Sequence, residues 1–298
     1  ADAQLAKKIF KPLANLERPN SWLSLKQNVF SSSLPDDLNQ FLDTPKSGDN
    51  IAIFRGAFFH QFEIEAIIGA HNPTVAMEAS DKYVSQDYYR ARMERKEIRS
   101  TYHLAIRRIA RSSDVRTMIA TVLPMVGTDD TVSLLTILRE EHLEAIVLAN
   151  LNSLVLDYTC GFKIGGTDIR KHNFFQLPIL PPSRYSQSHL AFINPKVLEL
   201  TYTDHNLGVF AKDLGHDGPP FAWDEDRRAS LRADLDAFYA SVEQLLDLIN
   251  VDIGWGRQLV EARESVVPDP HRQHAPIVGR LLEAADRLAD VRHVVGVV

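Results

Sequence analysis

The residues best suited to hold a phosphate backbone lie in KIGGTDIRK, residues 163–171. Gly165 and Gly166 carry no side chain, so their backbone can approach a phosphate or a groove wall closely. Lys163, Arg170 and Lys171 place positive charge beside them, and the Thr167 hydroxyl can donate to a phosphate oxygen. The plainer alternative is an exposed glycine turn behind a helix, with Gly161 as its C-terminal cap. A second cationic stretch, YYRARMERKEIRSTYHLAIRRIARSSDVR at residues 88–116, holds nine Lys or Arg against three acids. Its Arg107, Arg108, Arg111 and Arg116 are of the type that pairs bidentately with guanine, worth about 1–3 kcal/mol of discrimination. A solvated basic helix and strand would leave the same charge pattern.

Other chemistry has weaker support. Glu94 and Lys96, with Asp87 or Asp81 upstream, match the Glu-x-Lys of magnesium nucleases. Such carboxylates must converge on one metal, and this segment reads as helix. His60, His103, His142 and His172 are scattered without a ligand spacing such as His-x-x-x-His, so no metal is assigned. Cys160 is the only cysteine, which rules out an intrachain disulfide and a cysteine zinc cluster. There is no Gly-x-Ser-x-Gly elbow and no Gly-Lys-Ser/Thr phosphate loop. The glycines at 161, 165 and 166 follow no clean strand of a βαβ unit, so a cofactor fingerprint is unsupported. Asn72-Pro73-Thr74-Val75 is similar to the Asn-Pro-Pro-Tyr of adenine methyltransferases but lacks the second proline and the aromatic; it reads as a turn. No catalytic residue is assigned.

The elements that must position these residues follow from pattern. Residues 1–48 read as a loop-rich start with one helix. Residues 50–56 and 58–63 read as short strands with a bend at Gly56. Residues 85–99 read as a helix capped by Ser85. Residues 103–111 and 116–123 predict a hairpin joined by 112–115, ended by Pro124. Residues 131–138 predict a strand or the lead-in to a helix. Residues 140–157 predict one helix with an apolar stripe at Leu143, Ile146, Val147, Leu151, Leu154 and Val155; Asn150 and Asn152 on it read as structural hydrogen-bonders. Residues 176–180 are extended, and Pro178, Pro181 and Pro182 keep them out of a helix. Beyond about Pro195 helices take over: a short one at 196–202, a long one from Asp224 to about residue 250, and one at 281–290. The fold class is α+β. Residues 1–185 form a mixed strand-and-helix domain, 186–250 a helical unit and 251–298 a helical tail.

Composition is that of a soluble globular chain, 45% apolar and 24% charged, with no apolar run near membrane-span length. No signal peptide is apparent behind Lys7, Lys8 and Lys11; the expected compartment is the cytoplasm. A net charge of −6 argues against a generic nucleic-acid coat protein. Yet residues 1–198 sum to about +2 and 199–298 to about −8, and local fields steer ligands more than the total does.

Six segments in order carry a family resemblance: HQFE (60–63), IRRIARSSDVRTMIATVLP (106–124), ANLNSLVLDYTCGFKIGGT (149–167), QLPILPP (176–182), PKVLELTYT (195–203) and DGPPFAWDEDRRASLRADLDAFYA (217–240). Together, over about residues 1–245, they resemble the C-terminal half of large adenine-specific DNA methyltransferases. These belong to restriction-modification and phage-defence systems, including fused methylase-endonucleases and the BREX and DISARM methylases. In that family the N-terminal half carries the S-adenosylmethionine site and Asn-Pro-Pro-Tyr; neither occurs in this sequence. The resemblance therefore implies a target-recognition domain that reads double-stranded DNA for a methylase domain or subunit, with no cofactor of its own. Gly-Gly-Thr followed by Leu-Pro is also similar to non-catalytic specificity subunits. Two departures from the family pattern add positive charge: Arg108, where the family often has an acid, and Asp168-Ile169-Arg170-Lys171-His172 after Gly-Gly-Thr. On this basis the DNA-binding candidates are Arg107, Arg108, Arg111, Arg116, Lys163, Gly165, Gly166, Thr167, Arg170 and Lys171. The alternatives are a magnesium-dependent nuclease using Asp87, Glu94 and Lys96, or a protein-interaction scaffold.

Overall fold

Residues 103–107, 120–123 and 132–137 carry apolar residues at consecutive positions (104–106, 122–123 and 134–135) rather than only at alternate ones, as expected of strands covered on both faces. The computed structural model, which describes residues 18–43, 50–64, 80–112, 114–139 and 143–241, bears this out. The strands are β1 (Leu23–Gln27), β2 (Asn50–Phe54), β3 (Phe59–His60), β4 (Glu63–Ile64), β5 (Tyr83–Ser85), β6 (His103–Arg107), β7 (Ala120–Leu123), β8 (Gly127–Thr128) and β9 (Val132–Ile137). The helices are α1 (Pro35–Leu38), α2 (Gln86–Arg95), α3 (Glu144–Asn152), α4 (Leu154–Lys163), α5 (Lys171–Phe174), α6 (Gln187–Thr201), α7 (Gly208–Asp213) and α8 (Glu225–Ser241). The fold is α+β.

An antiparallel sheet of order β1-β9-β6-β7 forms the centre. The period of two along a strand sends successive side chains to opposite faces. Leu104, Ile106, Ala120, Val122 and Leu135 pack on one face with α3, α4, α6 and α8. Ala105, Leu123, Val132 and Leu134 pack on the other with the β5-β2-β8 sheet and α2. Helix α3 is buried from Ala145 to Asn152, because sheet and helices enclose it on all sides. The core against α3 includes Ile193, Leu231 and Tyr239, so it runs on past residues 181–188 into the helices that follow.

Several boundaries differ from expectation. The single helix expected at 140–157 is two helices, α3 and α4, bent by 65° at Ser153. Ser153 takes extended dihedrals, and its hydroxyl accepts the Leu156 N–H to start α4, the role for which serine is favoured over helix-interior residues. Helix α4 then runs to Lys163, so Gly161 lies inside it and is not its cap. Helix α6 starts eight residues before Pro195 rather than after it, from a capping box of Ser186 and His189. Both Pro195 and Ala191 are exposed, so water can satisfy the carbonyl that the missing proline N–H leaves free. Residues 58–63 make a two-strand hairpin, β3–β4. Of the two readings of 131–138 the strand holds, as Val132–Ile137, and Ser85 caps α2 as expected. Asn72–Val75, His142, the start before residue 18 and everything from residue 242, including 281–290, lie outside the described residues.

Candidate nucleic-acid interface

The ladder between β6 and β7 stops at Ile106 and Ala120. Residues 108–119 then leave the sheet as an arm, longer than the expected 112–115 connection. The cause is competition for backbone groups. The buried Asp157 carboxylate accepts the N–H groups of Thr117 and Met118 at 2.8 and 2.7 Å, so those residues pair with a side chain instead of a strand. On the other limb, Ala110 N–H donates to the Thr167 carbonyl at 3.1 Å and Ile169 N–H to the Arg108 carbonyl at 2.7 Å. A short antiparallel bridge, Ile109 with Asp168, thus joins the arm to the Gly-Gly-Thr loop. The Asn152 amide closes the outer edge of β7, bonding both the N–H and the carbonyl of Ala120. Asn150 accepts the Leu180 N–H; both asparagines are structural, as expected.

The two sequence-distant cationic stretches therefore meet, but their side chains divide into two sets. Arg108 donates to Asn28 Oδ1 at 2.6 Å, the Asp130 carbonyl at 2.9 Å and Asp168 Oδ2 at 3.1 Å. Arg116 is 10% exposed and lies 3.4 Å from Asp157. Arg107, half-buried, donates to the Phe59 carbonyl and rests 5.8 Å from the Phe59 ring. These three hold the arm to the body, Arg108 and Arg116 through the carboxylates packed beside their guanidinium groups. In the outer set Arg111, Arg170 and Lys171 are exposed. Arg111 makes no ion pair among the described residues, and Arg170 is 68% exposed although Asp168 accepts from it at 3.0 Å. Lys171 stands 6.0 Å from the Phe175 ring. Lys163, half-buried, bonds Gln176.

Asp168 joins the two sets by accepting from Arg108 and Arg170 together. Partial desolvation raises its carboxyl, but the two arginine hydrogen bonds outweigh that and hold it below the usual range. It also offsets the positive charge that the departures at 108 and 168–172 were expected to add. Burial raises the Asp157 carboxyl, against Arg116 and the Met118 and Thr117 amides. Asp236 of α8, which accepts the Leu154 N–H at 2.8 Å, is pushed up to about 6 by desolvation.

Gly165, Gly166 and Thr167 are exposed. A Cβ built on either glycine meets nothing within 4 Å, and neither has positive φ. The fold itself does not require glycine at either position.

Beside the arm is a cleft of about 440 Å³, lined by Arg107, Arg116, Arg232, Glu63, Asp114 and Glu225 among others. Its cations and carboxylates are equal in number, and Glu63 and Glu225 are paired with Arg228 and Arg232 at 3.0 and 2.8 Å. Arg228 bonds the Leu200 carbonyl at 2.8 Å and lies 3.8 Å from the Trp223 ring, tying α8 to the β3–β4 hairpin.

Asp87 and Glu94 lie on α2, seven residues apart and so about 10 Å along its axis. Lys96 turns inward to the Gln27 carbonyl. Among the described residues no group of three His, Cys, Asp or Glu is placed to hold a metal. No single helix among them is long and apolar enough to cross a membrane. No protein-family model matches the chain, and no curated protein matches it.

Proposed function

We propose that the chain is a sequence-specific recognition module for double-stranded DNA, non-catalytic by itself. It would serve an adenine methylase domain or subunit that brings S-adenosylmethionine and the methyl-transfer chemistry. One observation carries the reading: the bridge between arm and Gly-Gly-Thr loop joins two stretches of chain on which Arg111, Gly165, Gly166, Thr167, Arg170 and Lys171 are exposed. Cations beside bare backbone amides suit phosphate oxygens. Two adjacent glycines that the fold does not need suit an outside surface that must come close.

The test separates folding from binding. Gly165→Val and Gly166→Val are expected to leave stability within about 0.5 kcal/mol, as for surface positions free of special contacts. The same variants are expected to weaken duplex binding clearly, because a branched side chain stands where the phosphates approach. Unaltered duplex affinity in both variants would contradict a DNA contact at the loop.

A further inference from the structure

We propose that the tip of the arm reads base edges and that Arg111 specifies a guanine; this rests on the duplex-DNA reading above. The other arginines of residues 107–116 are committed to the protein: Arg108 to Asn28, Asp130 and Asp168, Arg116 to Asp157, and Arg107 to Phe59. Arg111 is exposed, and among the described residues only its backbone is held. Its N–H donates to Asp114 Oδ2 at 2.8 Å, its carbonyl accepts from Asp114 N–H at 3.1 Å and from the Thr117 hydroxyl at 3.3 Å. The limbs below are fixed by Thr167 and Asp157. A backbone ordered in advance lowers the entropy cost of placing the side chain on its target.

The composition of the tip separates groove from backbone. Asp114 is exposed beside Arg111, and a carboxylate facing phosphates is repelled, whereas facing a base edge it accepts from a cytosine amine. Val115 is 65% exposed; an aliphatic group gains nothing from phosphate but packs on a thymine methyl. Arg170, Lys171 and the Gly-Gly-Thr loop, joined to the arm through Ala110 and Ile169, supply the phosphate contacts that set its register. Arg, Asp and Val together therefore fit a groove floor, flanked by cations that fit its walls.

The experiment is selection of preferred duplexes from a random pool by the full chain, by Arg111→Ala and by Lys171→Ala, with melting curves as folding controls. The wild type is expected to select a site containing guanine. Arg111→Ala is expected to lose preference at that position by about 5- to 150-fold while keeping the rest of the site. Lys171→Ala is expected to keep the whole site and bind it more weakly, with a shallower salt dependence. If Arg111→Ala keeps the full preference and loses affinity evenly, Arg111 holds phosphate; the inference falls and the DNA reading stands. If the wild-type chain binds no duplex, both fall.

Discussion

Arg116 and Arg111 stand five residues apart on one arm and do opposite things. Arg116 is 10% exposed against a buried carboxylate, whereas Arg111 is exposed and makes no ion pair among the described residues. The difference lies in the neighbours rather than in the arginines. Wherever the fold brings a carboxylate under the arm, as Asp157 and Asp168 do, the cation becomes a brace. Arg111 pairs with no carboxylate among the described residues, and its side chain stays exposed. The arginines of residues 107–116 thus resolve into three that brace the arm, Arg107, Arg108 and Arg116, and one, Arg111, that the arm presents.

The comparison can be broken most severely from the inside. Asp157→Ala removes the acceptor of two backbone amides and strands Arg116. An unpaired buried charge costs roughly 3–5 kcal/mol, so the midpoint of denaturant unfolding should fall sharply; a loss under about 1 kcal/mol would mean that Asp157 does not brace the arm. A smaller effect comes from acid. His103, buried between Tyr89 and Ser100, is held down to about 4 by desolvation. The unfolded chain therefore takes up the proton first, and its share of stability is lost as pH falls from about 6.5 towards 4, by roughly 3 kcal/mol at most. Asp236, raised to about 6, acts oppositely: stability falls as pH rises from about 4 to 6. Replacing His103 with Gln should therefore flatten the acid limb or reverse it, and an unchanged limb would place the sensitivity elsewhere.

Arg108→Ala is expected to cost about 1–3 kcal/mol, the scale of hydrogen bonds to charged groups, read as a lower unfolding midpoint. Asp168 would then bind Arg170 alone and draw it closer. The smallest stability effect belongs to the outer set: Arg170→Ala should stay within about 0.5 kcal/mol. If Arg170→Ala destabilised as much as Arg108→Ala, the division into inner and outer cations would fail.

Much of the frame is legible in local pattern. Ser85 precedes α2, Pro124 ends β7, and Asp224 stands before α8, where its carboxylate accepts the Arg227 N–H at 2.9 Å. These are short-range devices that act within one turn. What escapes a local reading depends on distant partners. The apolar run through residues 144–163 is split at Ser153, whose hydroxyl competes for the backbone, while Gly161 is carried inside the helix. Pro195 signals a helix boundary but sits on an exposed face where its missing bond is harmless. At the candidate site, the meeting of arm and Gly-Gly-Thr loop depends on bonds across about sixty residues. Only the sign of each charge, and not its partner, can be read from the chain, so Arg108 and Arg116 look the same as Arg111.

The most direct measurement is the affinity of the intact chain for random-sequence duplex DNA between about 50 and 200 mM salt, alongside Arg170→Ala combined with Lys171→Ala. Release of counterions predicts affinity falling steeply with salt, with a slope of about −0.9 per phosphate neutralised. The double variant should have the shallower slope at undiminished stability. Binding that ignores salt, or a double variant with the wild-type slope, would contradict a DNA surface built from the arm and the glycine loop.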